Sequence, residues 1–121
     1  MLRGVRGATT ATANEAAAIS SCVQELLAQI VEINEIQISD IGAVIFSSTP
    51  DLNAAYPAAG ARALGWGEVP LFGTQEIENP NGPPNCVRVL ILWNTEKEQR
   101  AIKHVYLHGA TILRPDLRGN K

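Results

Sequence analysis

A chain of 121 residues, 45% hydrophobic and 18% charged, suits one domain with a modest core and leaves no room for a second. The formal net charge of −2 gives no basic field to draw nucleic acid or an anionic membrane, so neither is expected as a partner. The first ten residues carry two arginines but no apolar run of signal-peptide length, and no stretch approaches the roughly 20 apolar residues of a membrane span, so a soluble cytoplasmic protein is expected.

Residues 2–9 read as a first strand, with Arg3 and Arg6 at opposite parity and therefore on opposite faces. Thr12 followed by Glu15 fits a capping box that starts a helix running to about Glu35. Ile19, Cys22, Val23, Leu26, Leu27, Ile30 and Ile33 recur at helical spacing as one apolar stripe, with Gln24, Glu25, Gln29 and Glu32 facing water. At roughly 1.5 Å per residue this helix is about 30 Å long, the natural cover for a sheet.

Residues 41–48 form the second strand, apolar almost throughout and expected to be buried on both faces. A short helix over residues 54–64 is broken by Gly65 and Gly67, and residues 69–77 make the third strand. Residues 78–85, rich in Pro, Gly and Asn, must be a loop. Residues 86–93 are the fourth strand, apolar except for Arg88. A polar turn at 96–102 leads to a fifth strand at 104–107, a short closing element at 109–113 and a loose polar tail at 115–121.

The order β-α-β-α-β-β-β predicts an α+β fold: one domain over residues 1–121, with a five-stranded mixed sheet and one long and one short helix on one face. The other face is left without cover. Because several strands are apolar on both faces, an oligomer with packed sheets is expected.

Cys22 and Cys86 lie in no CxxC pair and near no histidine at ligand spacing, so free buried thiols are expected and no structural zinc. No other metal or cofactor is expected. Arg88 is the residue out of place, since an arginine inside an apolar strand needs an anion. Glu76, at the end of the preceding strand, is the candidate. Two readings stand side by side: an ion pair that holds the sheet, or two groups that line a pocket and face a ligand.

Arg6, Arg62, Arg114 and Tyr106 sit at element ends or in strands rather than in a charged run. Each alone reads as a surface group. Together with Arg88 they suit a small ligand with two carboxylates, because the guanidinium fork matches carboxylate geometry. Nothing marks nucleophilic catalysis: Ser47-Ser48 is not an elbow sequence, and Gly60, Gly65 and Gly67 form no phosphate loop. His104 and His108 read as structural, and Asp51 after Pro50 as a turn or cap residue.

Several segments carry a resemblance. They are Arg3-Gly4-Val5-Arg6-Gly7-Ala8-Thr9-Thr10, Ser48-Thr49-Pro50-Asp51-Leu52, Tyr56-Pro57-Ala58, Gln75-Glu76, Cys86-Val87-Arg88-Val89, His104-Val105-Tyr106-Leu107 and Leu113-Arg114-Pro115-Asp116-Leu117. In these, nearly the whole chain resembles the monofunctional chorismate mutases of the Bacillus type, which are small homotrimers with active sites in the clefts between subunits. The opening and closing segments are specific together.

The resemblance implies Arg88 and Glu76 as catalytic residues and Arg6 and Tyr106 as ligands of a substrate carboxylate. It implies that Leu71, Phe72, Gly73, Thr74 and Gln75 line the pocket. Tyr56 and Arg62 would come from the neighbouring subunit, and Leu113 and Arg114 would be closing contacts. The chain departs from the family example in having Gly73 for a cysteine and Ala59 for a lysine. Both changes bear on affinity more than on reaction type.

The implied reaction turns chorismate into prephenate by a concerted shift in which an ether bond breaks, a C–C bond forms and no proton moves. Two rivals remain: a non-catalytic trimeric module that binds small carboxylates, and an enamine or imine deaminase on a similar trimeric fold. The deaminase would need a water-activating arrangement that the sequence does not present.

Overall fold

Residues 1–113 are described by a computed structural model. Arg114 and the tail at 115–121, expected to be a closing contact and a loose end, lie outside the described residues. The elements are β1 (Leu2–Thr10), α1 (Ala16–Asn34), β2 (Ile41–Ser48), α2 (Ala58–Ala63), β3 (Leu71–Gln75), β4 (Cys86–Asn94) and β5 (Val105–Tyr106), with 3-10 turns at Ile38–Asp40, Gln99–Ala101 and His108–Leu113. The sheet runs β3-β2-β4-β1-β5. β4 is antiparallel to both β1 and β2, while β3 is parallel to β2 and β5 to β1, which makes the sheet mixed as expected.

Alternation along the strands decides which residues face the helices. Val5 of β1, Val44 and Phe46 of β2, and Val87, Val89, Ile91 and Trp93 of β4 are buried in one core with Ile19, Val23, Leu26, Leu27 and Ile30 of α1. Gly7 permits the close approach of α1. A Cβ there would lie 2.7 Å from Ile30 Cδ1 and 3.2 Å from Leu26 Cδ1. Gly60 plays the same part between α2 and α1, where a Cβ would meet Val23 Cβ at 2.8 Å.

The opposite face carries Arg6 and Ala8 of β1, Ala43, Ile45 and Ser47 of β2, Phe72 and Thr74 of β3, and Arg88, Leu90 and Leu92 of β4. Here β2 departs from the expectation of burial on both faces. Within one chain Ile45, Leu90 and Leu92 are only half-buried, and Phe72 is exposed.

Three further expectations are corrected. The Thr12–Glu15 capping box does not form: α1 begins at Ala16, with Glu15 extended and making no side-chain cap bond. Asn14 instead ties this segment to the chain before α2, its Oδ1 accepting from the Asn53 and Ala54 amides at 3.0 Å each. α2 starts four residues late because the residue before Pro57 is driven out of helical conformation. β3 begins only after Pro70, which has no N–H for a ladder bond. By length and composition alone α1 could cross a membrane, but its apolar stripe is packed on the sheet as a core helix.

At the end of the stripe the periodicity is off by one residue. Ile33 is exposed and Asn34, 1% exposed, points inward. Its amide donates to the Ile30 carbonyl at 3.0 Å and the Lys103 carbonyl at 2.9 Å, and its Oδ1 accepts from the Lys103 N–H at 2.9 Å. One side chain thus ties the end of α1 to the chain entering β5. Asn34→Ala leaves the Lys103 backbone groups without this partner and is expected to cost about 1–3 kcal/mol, read as a fall in melting temperature.

Candidate active site

Strand register builds a row across the face away from α1. Thr74 pairs with Ser47, Ser47 with Arg88, Arg88 with Ala8, and Ala8 with Tyr106. Neighbouring strands are about 4.8 Å apart, so only the methyl of Ala8 stands between the Arg88 and Tyr106 positions. Arg6 lies two residues before Ala8 and shares its face. Its backbone N–H donates to His104 Nδ1 at 3.0 Å, which ties β1 to the chain entering β5 and gives His104 a structural part.

Glu76 follows β3 directly, anchored by its N–H to the Ser48 carbonyl at 2.8 Å. Its Oε2 lies 3.2 Å from Arg88 Nη2, and its Oε1 accepts from Ser47 Oγ at 2.5 Å. The Arg88 side chain is 45% exposed and that of Glu76 24%. The ion pair forms, but it sits on the wall of a cavity of about 190 Å³ rather than inside the core. At such exposure the pair itself contributes only about 0–1 kcal/mol to stability.

Cys86 and Leu113 line this cavity together with Thr49 and the loop residues Asn79, Gly82 and Pro83. The loop is fixed at its base by two side chains. Thr49 Oγ1 donates to Asp51 Oδ1 at 2.5 Å and accepts from the Cys86 N–H at 2.9 Å, while Asp51 Oδ2 accepts from the Asn85 N–H at 3.0 Å. This holds Asn85 in the left-handed region at φ 54°, which asparagine tolerates. Asp51 is thus the turn residue expected of it.

Cys86 packs with Ala8, Ala110, Tyr106 and Leu113. Burial pushes its thiol up to about 11, against the pull of the Arg88 charge. Burial, with the Glu25 carboxylate second, also raises Cys22 to about 11. Both are free, buried and protonated at neutral pH, which makes them poor nucleophiles. Among the described residues no three His, Cys, Asp or Glu side chains cluster as metal ligands do. His108 Nε2 lies 2.9 Å from Glu25 Oε1, a half-exposed contact between the last 3-10 turn and α1.

A family model for chorismate mutase type I matches residues 2–117. The chain belongs to the type I chorismate mutases. Chorismate mutase AroH of Thermus thermophilus is 45% identical over 118 residues, covering 97% of each chain. Chorismate mutase AroH of Bacillus subtilis (strain 168) is 40% identical over 118 residues, or 97% of this chain and 93% of that one. The solved chorismate mutase from Clostridium thermocellum superposes with a TM-score of 0.88 at 42% identity, covering 90% of this chain and 97% of its own.

For a type I chorismate mutase, one chain of this protein assembles part of the expected constellation. Arg6, Arg88 and Tyr106 share a face, Glu76 joins Arg88, and Leu113 reaches the cavity. Tyr56 and Arg62 do not join them. Tyr56, 79% exposed, precedes α2, and Arg62 is on it, in the helical layer across the sheet from Arg88. On the edge strand β3, Phe72 and Thr74 share the Arg88 face, while Leu71, Gly73 and Gln75 point to the other. An added Cβ at Gly73 would meet nothing within 4 Å, so a side chain is absent there for no steric reason within the chain. Ser47, near the end of β2, and Thr49, just beyond it, are short hydroxyls that carry no signal of their own in the sequence.

Proposed function

We propose that the protein is a chorismate mutase that converts chorismate to prephenate in aromatic amino-acid biosynthesis. Residues 1–121 act as one domain, in a soluble cytoplasmic homotrimer. Membership of the type I family supports the reaction. The observation that carries the site is the placement of Arg88 on a cavity wall, bonded to Glu76 and flanked on its own face by Arg6 and Tyr106.

The rearrangement builds negative charge on the ether oxygen as the C–O bond breaks. Arg88 meets that charge with a fixed guanidinium, which stabilises the transition state more than the ground state. Arg6 and Tyr106 hold the enolpyruvyl carboxylate, and Glu76 accepts from the ring hydroxyl and favours positive charge on the ring. The pocket also holds the compact conformer in which the two reacting carbons meet. No proton is transferred, so no general acid or base is required.

The apolar face of the sheet supports the trimer, since the described residues leave Ile45, Leu90 and Leu92 only half-covered and Phe72 exposed. Packing such faces together brings α2 of a neighbour toward the cleft, where Tyr56 and Arg62 would complete the pocket. The C-terminal Arg114 closes it. The test is direct: purified protein should remove the ultraviolet absorbance of chorismate and yield prephenate. Binding of chorismate with no change in absorbance would mean a carboxylate-binding module and overturn the proposal.

A further inference from the structure

We propose that Ser47 is a positioning residue, whose hydroxyl holds the Glu76 carboxylate in place for the substrate. The inference rests on the chorismate mutase reading above and names a residue which that reading does not contain.

Glu76 is anchored by its backbone on the Ser48 carbonyl, but that bond does not fix its side chain. It lies one residue beyond β3, the edge strand, and carries three rotatable side-chain bonds whose freedom costs free energy to fix. Arg88 restrains it through one nitrogen at 3.2 Å, and that guanidinium is also the group directed at the substrate. Because it reaches only Oε2, Arg88 cannot by itself fix where Oε1 lies.

Ser47 can. β2 is hydrogen-bonded on both sides, to β3 and to β4, and Ser47 is in register with Thr74 on one and Arg88 on the other. Its Oγ donates to Glu76 Oε1 at 2.5 Å, the length of a hydroxyl bond to a charged oxygen. The two neighbouring hydroxyls are occupied elsewhere: Thr74 Oγ1 donates to the Phe46 carbonyl at 2.8 Å, and Thr49 Oγ1 to Asp51. With Ser47 on Oε1 and Arg88 on Oε2, about two of the four acceptor positions of the carboxylate remain for the ring hydroxyl.

The test is a double-mutant cycle on the full chain with chorismate as substrate. Ser47→Ala should lower kcat/KM by about 10- to 100-fold, the scale of one hydrogen bond to a charged group. Ser47→Thr keeps the hydroxyl on a strand position that favours a branched side chain, and should recover most of that loss. In a Glu76→Ala background, Ser47→Ala should change the remaining rate by less than about 2-fold, because the group it positions is gone. Loss of stability alone would act equally in both backgrounds. Should Ser47→Ala melt too low to assay, Ser47→Cys, close in shape and a weak donor, gives the same reading. An active wild type with Ser47→Ala at full rate, or with equal losses in both backgrounds, overturns the role of Ser47 alone. A wild type inactive on chorismate overturns the function and this inference together.

Discussion

Replacing the Arg88 guanidinium by its neutral isostere, citrulline, is expected to lower kcat by at least about 10²-fold while leaving the fold intact. Removing a single transition-state donor commonly costs about 10²–10³ in rate, and here a full charge is lost at the oxygen where negative charge appears. Citrulline keeps the shape and most of the donors, so the loss reports the charge. Stability should move by no more than about 1 kcal/mol, because the contact to Glu76 is made by a side chain that is 45% exposed. Were the pair a buried structural element, breaking it would instead cost about 3–5 kcal/mol. Arg88→Lys retains the charge but not the planar fork, and should also turn over poorly. The measurements are kcat and melting temperature on the same variants. A citrulline variant that folds and turns over like the wild type would show that positive charge at position 88 is not catalytic.

Arg88 could be found in the sequence because it stands alone in an apolar strand, and Glu76 because it is the nearest acid at a strand end. β2 and β4 were legible for the same reason: long apolar runs have few places to go. What escaped was decided by contacts between distant segments. The Thr12–Glu15 pattern satisfies a local capping rule, but Asn14 binds the backbone at Asn53 and Ala54, and α1 starts after it. Ile33 and Asn34 are adjacent on a helix, and a 3.6-residue period cannot say which turns inward at its last turn. The backbone of Lys103, 69 residues away, selects the asparagine. Ser47 is an ordinary serine near the end of β2 in the sequence, and only the register sets it opposite Arg88. Arg62 was a candidate from its residue type and its place on the short helix, and Tyr56 through resemblance alone. Among the described residues no contact brings them to the cavity, so the part proposed for them requires a second chain.

Leu92→Asp is accordingly expected to dissociate the trimer and to lower activity by about 10²-fold or more at micromolar concentration. Leu92 lies on the face away from α1, opposite Gly4 and Ala43, and is only half-buried in one chain. An aspartate there can stay hydrated in a monomer, so the isolated fold tolerates it. In a packed trimer the same carboxylate would be desolvated without a partner, at several kcal/mol per ion and once in every subunit. The equilibrium therefore shifts toward single chains. The site itself is spared: Leu92 is four residues from Arg88 along β4, roughly 13 Å at strand rise. Any loss of turnover would then report removal of the neighbour rather than damage to the site, as the proposed part of Tyr56 and Arg62 in a neighbour's pocket requires. Sedimentation should give a trimer for the wild type and a monomer with native circular dichroism for the variant, and raising the protein concentration should restore part of the activity. A wild type that sediments as a stable monomer at micromolar concentration, or a monomeric variant with full activity, would show that each chain carries a complete site.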